Sequence, residues 1–426
     1  MKRPKSICFA LILGFLFFSC GRSKEVKLPV VEVNGIEIPD LDPFLIEPVD
    51  IKLSQIGESF RTVILESNPE CLLGGSAKLQ IGDNYIIARD DLGIFQFSID
   101  GSFIRKLVTI GRGPGEISAA NCSCLIEDED LFLVVTNNDI YMYCLSSGEF
   151  MGKKVKPEIS ANESLYDCVY IGDSRILYSF YNNGLVDPSA SGCGVKIQTL
   201  DGSILWQHYF DYNSINIFSS TYKYVAGSRI SLLSTNYSDE VIIRIIDQDT
   251  VYKLNTSSYS LRPALLNRIE KVKVDGFPVS IFAKGCSYEN LEYKSINGYR
   301  LINFTSVNEL SDDFSVILGD RYYIIYDDNQ KSATRVGVFN NDYFGFLHET
   351  VGDRKLPHYF PTLLPPNGKL VVTFDAFTFL QFVDEALANP QLDANVRDRL
   401  LDISGKVTEI SNPILLIGDI KEKIDL

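Results

Sequence analysis

Six short apolar segments recur along this chain of 426 residues, and each follows directly on a tight polar or glycine turn. Aromatic and β-branched residues, which favour pleated strands, dominate these segments. A β unit that recurs every roughly 40–50 residues is typical of a β-propeller. The pattern therefore predicts one all-β domain, a six-bladed β-propeller. The turns that begin its blades start at Gly82, Asp128, Gly172, Gly227, Asn297 and Asn367.

Alternating apolar runs within the early units are joined by two-residue turns. Asp100-Gly101, Ser147-Gly148 and Asp201-Gly202 have the sequence of tight hairpins, in which glycine supplies a positive φ. This arrangement predicts four-stranded antiparallel blades. One strand at 60–65 precedes the first unit, and another at 412–417 follows the last. We expect the early strand to complete the last blade, because this closes the ring and removes an exposed sheet edge.

The interval between successive units widens along the chain. It is 46 and 44 residues at first and later 55, 70 and 70 residues, so we expect insertions in the later blades. One of them, between Val383 and Ile403, has apolar residues at helical spacing. The spacing predicts a short C-terminal helical insertion that Pro390 interrupts or divides.

The N-terminus has the pattern of an export signal. Positive charges at Lys2, Arg3 and Lys5 precede an apolar stretch at 7–18 that is too short to span a bilayer. It ends in Leu-Phe-Phe-Ser-Cys, which resembles a bacterial lipobox whose cysteine would be Cys20. The resemblance implies a signal over residues 1–19 and acyl chains on Cys20. The alternative is an ordinary cleaved signal followed by an incidental cysteine.

Several acyl chains on one residue anchor a protein stably to a membrane. The polar and proline-containing segment 20–49 is predicted to be a tether, and residues 50–426 the propeller. Some surface-exposed lipoproteins carry a run of acids after the cysteine, whereas this chain has Gly-Arg-Ser-Lys-Glu at 21–25. We therefore expect a place on the outer membrane of a bacterial cell envelope, facing the periplasm, with surface exposure as the alternative.

The charge of the chain excludes general nucleic-acid binding. The formal net charge is −15, and removal of the three signal cations would leave −18. No basic arm or patch is present to neutralise phosphates. A cationic partner is compatible with this charge but is not implied by it, because acidic surfaces mostly serve solubility.

Nine cysteines occur in the chain, of which Cys8 lies in the signal and Cys20 at its end. The remaining seven sit in apolar runs or near turns, so we expect most of them to be buried and unpaired. Cys122 and Cys124 have one residue between them rather than the two of a zinc or redox pair. The spacing therefore predicts no metal site.

Four short motifs, taken together and in order, resemble a known family. Gly-Arg-Gly-Pro-Gly-Glu at 111–116 is similar to the GxGPGE signature of six-bladed β-propeller lipoproteins of Bacteroidetes. The stretches at 61–66, 249–253 and 412–415 fit the same family, so the resemblance covers about residues 50–420. It implies a propeller related to the NHL class and an envelope location. Most NHL-like propellers mediate binding, and the resemblance implies little chemistry.

The motif at 111–116 is one candidate for a ligand-binding loop. Its three glycines could leave backbone N–H groups open to an anion, but Pro114 removes one donor and no Lys-Ser/Thr follows, as a P-loop requires. The preferred interpretation is structural. In it the glycines allow a sharp exit from a strand, while Arg112 and Glu116 pair locally. In the functional alternative Arg112 reaches the mouth of the central channel.

Histidines are the other candidates, and the chain has three. His348 is followed by Glu349 but lacks the second histidine of a zinc-protease helix. His358 lies beside Tyr359 and Phe360, in a segment between the fifth and sixth blades that could line one face. For a lone histidine beside aromatic residues, packing or surface exposure is the preferred interpretation, and ligand binding is the alternative.

The sequence favours a non-enzymatic binding or scaffolding propeller whose ligand is a protein, a peptide or a carbohydrate. No G-x-S-x-G motif or other nucleophile signature occurs. No cofactor is expected for this function. The alternative is a lactonase-like or sugar-processing enzyme, in which carboxylates and amides would hold a divalent cation over the channel. The side chains at the channel mouth distinguish the two.

Overall fold

The structure, a computed structural model, confirms a six-bladed β-propeller of antiparallel blades. It describes residues 26–42, 45–74, 77–113, 116–160, 163–182, 193–210, 215–218, 223–226, 230–234, 239–245, 250–267, 293–296, 299–310, 316–349 and 368–424. No helix within these ranges is long and apolar enough to span a membrane.

The chain begins with strands that precede the first blade. They are β1 (Val26–Lys27), β2 (Val30–Val33), β3 (Ile36–Leu41), β4 (Pro48–Lys52) and, after the helix α1 (Leu53–Ile56), β5 (Gly57–Ile64). Blade one then contains β6 (Lys78–Ile81), β7 (Tyr85–Arg89), β8 (Gly93–Ser98) and β9 (Phe103–Thr109). Blade two contains β10 (Cys122–Ile126), β11 (Leu131–Val135), β12 (Ile140–Cys144) and β13 (Phe150–Lys154). The predicted turns at Gly82 and Asp128 lie between the first and second strands of these blades, so each blade begins one strand earlier than predicted.

The middle blades continue the same meander. Blade three contains β14 (Glu163–Tyr170), β15 (Arg175–Asn182), β16 (Cys193–Thr199) and β17 (Ile204–Phe210), and a separate hairpin follows with β18 (Ile215–Phe218) and β19 (Lys223–Ala226). Blade four contains β20 (Ile230–Ser234), β21 (Glu240–Ile245), β22 (Thr250–Asn255) and β23 (Ser260–Asn267).

The last two blades carry the additions. Blade five contains β24 (Tyr293–Ile296), β25 (Tyr299–Leu310), β26 (Val316–Asp327) and β27 (Ser332–Asn341), with β28 (Phe346–Glu349) paired to the end of β27. Blade six contains β29 (Lys369–Phe374), the helices α2 (Ala376–Ala388) and α3 (Ala394–Ser404), and β30 (Ile414–Ile420).

Pairing of β5 with β30 closes the ring, as the sequence predicts. The two strands are antiparallel, with Val63 opposite Leu415 and Arg61 opposite Ile417. β30 also pairs with β29, so the N-terminal strand becomes the outermost strand of blade six. Closure removes the edge that this blade would otherwise expose.

The core is divided among the interfaces between neighbouring blades. Six apolar clusters occur among the described residues, and each joins two consecutive blades. The cluster that joins blade six to blade one includes Val371 and Leu415 on one side and Ile86 and Phe97 on the other. Each blade is therefore fixed by apolar burial on both sides, and the ring is a single cooperative unit.

The segment expected to be a tether is partly folded, so that prediction is wrong for residues 26–41. β2 and β3 form a hairpin, and β3 adds in parallel to β23 of blade four. β1 and β4 both pair with β27 of blade five. Ile38 and Leu41 are buried, so the segment gains apolar burial by joining the outer edges of these blades.

The helical insertion is confirmed and consists of two helices, but it starts at Ala376 rather than at Val383. The side chain of Asp375 caps α2 by accepting a hydrogen bond from the Thr378 N–H at 2.9 Å, which fixes the start of the helix at Ala376. Pro390 lies between the helices, as expected. The buried face of α2 presents Phe379 and Phe382, which pack against Phe346 of β28.

Candidate functional site

The fold brings the connections between blades to one mouth of the central channel. In blades two to five the first strand lies at the inner edge, since β10 contacts β14, β14 contacts β20 and β20 contacts β24 around the axis. These blades start at their inner strand, so the connections that lead into these strands share one end of the channel. We call this end the loop mouth. Its described connections include 110–121, from blade one to two, and 155–160, from blade two toward three.

The GRGPGE segment forms a closed loop in the first of these connections. Ile110 and Ile117 form a parallel bridge at its neck. The Gly111 N–H donates to the Ile117 carbonyl at 2.9 Å, and the Ile117 N–H donates to the Thr109 carbonyl at 3.1 Å. Ile117 is buried in the cluster between blades one and two. The base of the loop is therefore fixed to the core.

Glu116 stabilises the loop from inside. Its Oε2 accepts a hydrogen bond from the Gly113 N–H at 2.8 Å, and its own N–H donates to the Gly113 carbonyl at 3.1 Å. A Cβ on Gly111 would overlap the Glu116 carboxylate. Neither Gly111 nor Gly113 has a positive φ. These two glycines therefore serve the close approach of the carboxylate rather than a left-handed backbone.

Arg112 is exposed at the tip of this loop. The expected ion pair with Glu116 is not formed, since within the described part of the chain Arg112 has no hydrogen-bond or ion-pair partner. The Glu116 carboxylate bonds the loop backbone instead. As a result, the backbone that Glu116 holds presents an exposed guanidinium to solvent. Pro114 and Gly115 lie outside the described residues.

The other predicted site residues are only partly described. His348 lies on β28, opposite Phe339 of β27, in the connection that leads from blade five toward blade six. Its side chain, and the whole of His358 and Cys20, lie outside the described residues. The GRGPGE loop and the His348 backbone therefore each lie in a connection that leads from one blade to the next.

Buried polar side chains of blade three bind the backbone of the connection 155–160. The sequence analysis missed these residues. Lys196 Nζ donates to the Glu158 carbonyl at 2.6 Å, and Gln198 Nε2 donates to the Lys156 carbonyl at 3.1 Å. Gln198 Oε1 in turn accepts from the Glu158 N–H at 3.0 Å. Both side chains come from the buried strand β16. The signal for this role is a lysine and a glutamine in an otherwise apolar strand.

A phenol hydroxyl completes the same contact. Tyr178 is buried and donates a hydrogen bond to the Glu158 carbonyl at 3.2 Å. Burial raises the pKa of Tyr178 well above its ordinary value, so the hydroxyl stays protonated and remains a donor. Three side chains of blade three thus fix the path of the second connection, and the loop mouth is preorganised at both described connections.

An aromatic pair lies near the same mouth. Tyr166, on the inner strand of blade three, meets Tyr181 edge-to-face with ring centroids 6.3 Å apart, and both rings are half-buried. Such rings offer an apolar surface with a polar tip. Over the described ranges, no group of three or more His, Cys, Asp or Glu side chains is placed to hold a metal ion.

The cysteines agree with the sequence prediction where they are described. The six described cysteines form no disulfide, and five of them are buried. Cys124 Sγ lies 3.6 Å from Cys168 Sγ, between the inner strands of blades two and three. The hydrogen bond to Cys168, together with burial, raises the pKa of the Cys124 thiol well above its ordinary value, and burial raises that of Cys168. The cluster therefore packs as small apolar groups.

Comparison with known proteins supports the fold. A protein of Bacteroides fragilis NCTC 9343 that is named as an exported protein has a structure similar to this chain, with 17% sequence identity and a TM-score of 0.56 over 88% of this chain and 98% of that one. At this identity the likeness shows the fold alone. The WD40 domain of Toxoplasma gondii coronin has 11% identity and a TM-score of 0.39, with 78% of this chain and 73% of that one covered.

No curated protein matches the chain. A family model does: it describes a domain of unknown function, DUF4934, and it matches residues 38–419. The matched range begins within β3 and ends within β30, so it includes the closing strand β5 and all six blades. The chain belongs to the DUF4934 family.

Proposed function

We propose that this chain is a non-enzymatic binding propeller of the bacterial cell envelope, and that its ligand binds at the loop mouth. The observation that carries the proposal is the exposed guanidinium of Arg112 on a loop whose backbone is fixed by Glu116 and by the Ile110–Ile117 bridge. Because the backbone that carries Arg112 is already fixed, little backbone conformational entropy is lost when a ligand binds, and this favours binding.

Rigidity of the surroundings supports the same function. Lys196, Gln198 and Tyr178 hold the neighbouring connection, so a ligand would meet a preformed surface. Scaffold strands that stay fixed while their connecting loops carry the specificity are a recurrent arrangement in binding proteins. The half-buried rings of Tyr166 and Tyr181 would add apolar contact with a sugar ring or a peptide side chain.

The ligand chemistry follows from the group presented. A guanidinium has a planar set of donors that matches a carboxylate, a sulfate or a phosphate in two parallel hydrogen bonds. We infer a peptide, protein segment or carbohydrate that bears at least one such anionic group. The net charge of −15 repels anions at long range, so recognition depends on the local site, and salt screens the long-range repulsion.

Envelope location rests on the signal and lipobox patterns of residues 1–20 and on the resemblance to GxGPGE-containing, NHL-like lipoproteins. We propose acylation at Cys20 and a position on the outer membrane facing the periplasm. Metabolic labelling with a fatty-acid probe tests the anchor. The wild-type chain is expected to be labelled, and Cys20→Ala to be unlabelled and to remain uncleaved or mislocalised. An unlabelled wild-type chain would contradict the anchor without bearing on ligand binding.

The binding function is tested by affinity capture from native membranes, followed by mass spectrometry, and by an array of acidic and neutral oligosaccharides and peptides. The full-length chain is the bait, with Arg112→Ala as its matched variant. We expect ligands that bear anionic groups to be captured by the wild type and lost with the variant. Capture of the same set by both would contradict a role for Arg112.

A further inference from the structure

The outer edges of the blades differ in how they are covered. β3 adds to the outer edge of blade four, and β1 and β4 add to the outer strand of blade five. Thus two blades of this fold already accept an additional strand. Across the described ranges, the sheets of blades one, two and three end at their own fourth strands, β9, β13 and β17.

Charged residues protect two of these three edges. β9 contains Arg105 and Lys106, and β13 contains Lys153 and Lys154 together with Gly152, whose φ of 117° distorts the strand. Charges and local distortions on edge strands prevent pairing with other chains. β17 has the sequence Ile-Leu-Trp-Gln-His-Tyr-Phe and contains no Asp, Glu, Lys or Arg. It is the uncharged member of the three.

β17 also exposes apolar side chains. Leu205 is 41% exposed and Tyr209 is 49% exposed, with the exposed Gln207 between them on the same side of the strand. On the opposite side, Trp206 and Phe210 pack in the cluster between blades three and four. A seven-residue outer strand that is uncharged and partly apolar has the properties of a pairing edge.

We propose that β17 pairs antiparallel with β17 of a second copy of this chain, about a two-fold axis at Gln207. Leu205 then lies opposite Tyr209 of the second copy, and the two Gln207 amides face each other. No pair of like charges meets in this register. The same symmetric pairing at β9 would oppose Lys106 to Lys106 of the second copy, which is destabilising. In this register the edge of β17 matches its own copy without opposing like charges. A second copy of this chain is therefore the proposed occupant.

Disulfide trapping tests the register. Cα atoms of residues opposite each other in an antiparallel pair lie about 4.5–5.5 Å apart, within the range that a disulfide spans. Gln207→Cys in the full-length chain, oxidised mildly in intact cells, should give a covalent dimer on a non-reducing gel. Leu205→Cys is the matched control, since its symmetry mate would lie roughly 13 Å away at four residues of strand rise. Equal yields from both variants, or none from Gln207→Cys, would overturn the proposal.

Solution mass gives the second test. The purified wild-type chain is expected to have twice the monomer mass at micromolar concentration, more so at higher salt, because screening reduces repulsion between two acidic copies. Gln207→Lys should be monomeric with an unchanged melting temperature. Met151→Lys, at a residue 56% exposed on the edge strand of blade two, should stay dimeric. A monomeric wild type, or a Gln207→Lys dimer, would contradict the proposal and leave β17 to a different partner or to none.

Discussion

At the scale of single residues, side chains reach from one blade to the turn of the next. The Glu127 carboxylate of blade two accepts from the N–H groups of Asp83 at 2.7 Å and Tyr85 at 2.8 Å, which lie at the first turn of blade one. The Tyr170 hydroxyl of blade three donates to the Glu129 carboxylate of blade two, at 2.7 Å and 2.8 Å. Recurrent polar turns in the sequence therefore serve contacts between blades as well as local capping.

Tyr170 predicts a loss of stability in alkaline solution. Burial first, and then the Glu129 carboxylate, raise the pKa of Tyr170 from 10.0 to about 12. A raised pKa means that the stabilisation is complete below pH 10 and is lost as the pH rises toward 12. Urea midpoints measured between pH 9 and 12 should fall less steeply for Tyr170→Phe than for the wild type. Tyr141→Phe is the control for removal of a half-exposed hydroxyl. If the urea midpoints of all three proteins fell in parallel with pH, the assignment of the alkaline loss of stability to Tyr170 would be contradicted.

Thiol reactivity is predicted from the same kind of local contact. Hydrogen bonds from Ser146 and Ser147 lower the pKa of the half-exposed Cys144, whereas burial raises that of Cys168. The thiolate is the reactive form, so Cys144 should react first with a disulfide reagent at pH 8. Cys144→Ser should lose about one equivalent of thiol from the fast phase of the reaction. Cys168→Ser should change only the thiol equivalents that react after the protein is unfolded. A fast phase that survives in Cys144→Ser would exclude this assignment.

At the scale of elements, the turn that leads into the outer strand of blades one, two and three packs against the preceding blade. Gly101 has a φ of 95°, and a Cβ there would overlap the carbonyl oxygen of Ile64 in blade six. Gly148 and Gly202 occupy the same place in blades two and three, with a positive φ and with Arg105 or Val155 of the preceding blade against them. Glycine is required at these turns for two reasons, a left-handed backbone and a close approach.

Alanine variants separate these two reasons. Gly172 has a φ of 81° and open space around it, so Gly172→Ala should cost only the left-handed conformation, about 1 kcal/mol. Gly101→Ala should cost this and a further ~1–3 kcal/mol of overpacking against the Ile64 carbonyl. Chemical denaturation of both variants and the wild type gives the difference. Equal losses would show that the contact between blades contributes nothing to the glycine requirement.

At the scale of the whole molecule, closure depends on a buried amide as well as on strand pairing. Asn412 is almost fully buried, just before β30. Its Nδ2 donates to the carbonyls of Glu66 at 2.6 Å and Cys71 at 2.9 Å, and its Oδ1 accepts from the Leu73 N–H at 2.8 Å. One side chain thus holds the connection from blade six into blade one.

Removal of this amide should destabilise the entire ring. Asn412→Ala leaves buried backbone groups without a partner, and each such group costs about 1–3 kcal/mol. The single thermal transition of the wild type should move to lower temperature and remain single, because the clusters between blades couple all six sheets. Asn412→Asp keeps the acceptor oxygen but loses both N–H donors, so its melting temperature should fall by a similar amount. A second, separate transition in either variant would show that closure and blade folding are independent.

The sequence predicts the repeated parts of this fold and misses those that depend on distant partners. The turns at Gly82, Asp128 and Gly172 are local signals, and each lies between the first and second strands of a blade, one strand later than the predicted blade start. The strand β3 has no local signal of its pairing, because its partner β23 lies more than two hundred residues away. The start of α2 was missed because Phe374 and Phe377 continue the apolar run of a strand, although the cap at Asp375 was available as a signal.

In the candidate site, too, the sequence shows the local motif but not the contacts that the residues make. The GRGPGE motif is visible in the sequence, but the partner of Glu116 is not, since a carboxylate can bond a backbone N–H or a guanidinium equally well in a short loop. The geometry assigns it to the Gly113 N–H and leaves Arg112 exposed. Lys196 and Gln198 act across a blade interface, so only the position of polar residues in a buried strand could have indicated them.

Ligand binding by Arg112 is the central claim, and one paired measurement tests it most directly. Melting temperature and affinity for the captured anionic ligand are measured on the wild type, on Arg112→Ala and on Lys423→Ala, an exposed cation that follows β30. We predict that Arg112→Ala weakens binding at least tenfold, which corresponds to about 1.4 kcal/mol, with its melting temperature unchanged. Lys423→Ala should match the wild type in both. A stable Arg112→Ala that binds as tightly as the wild type would contradict the account.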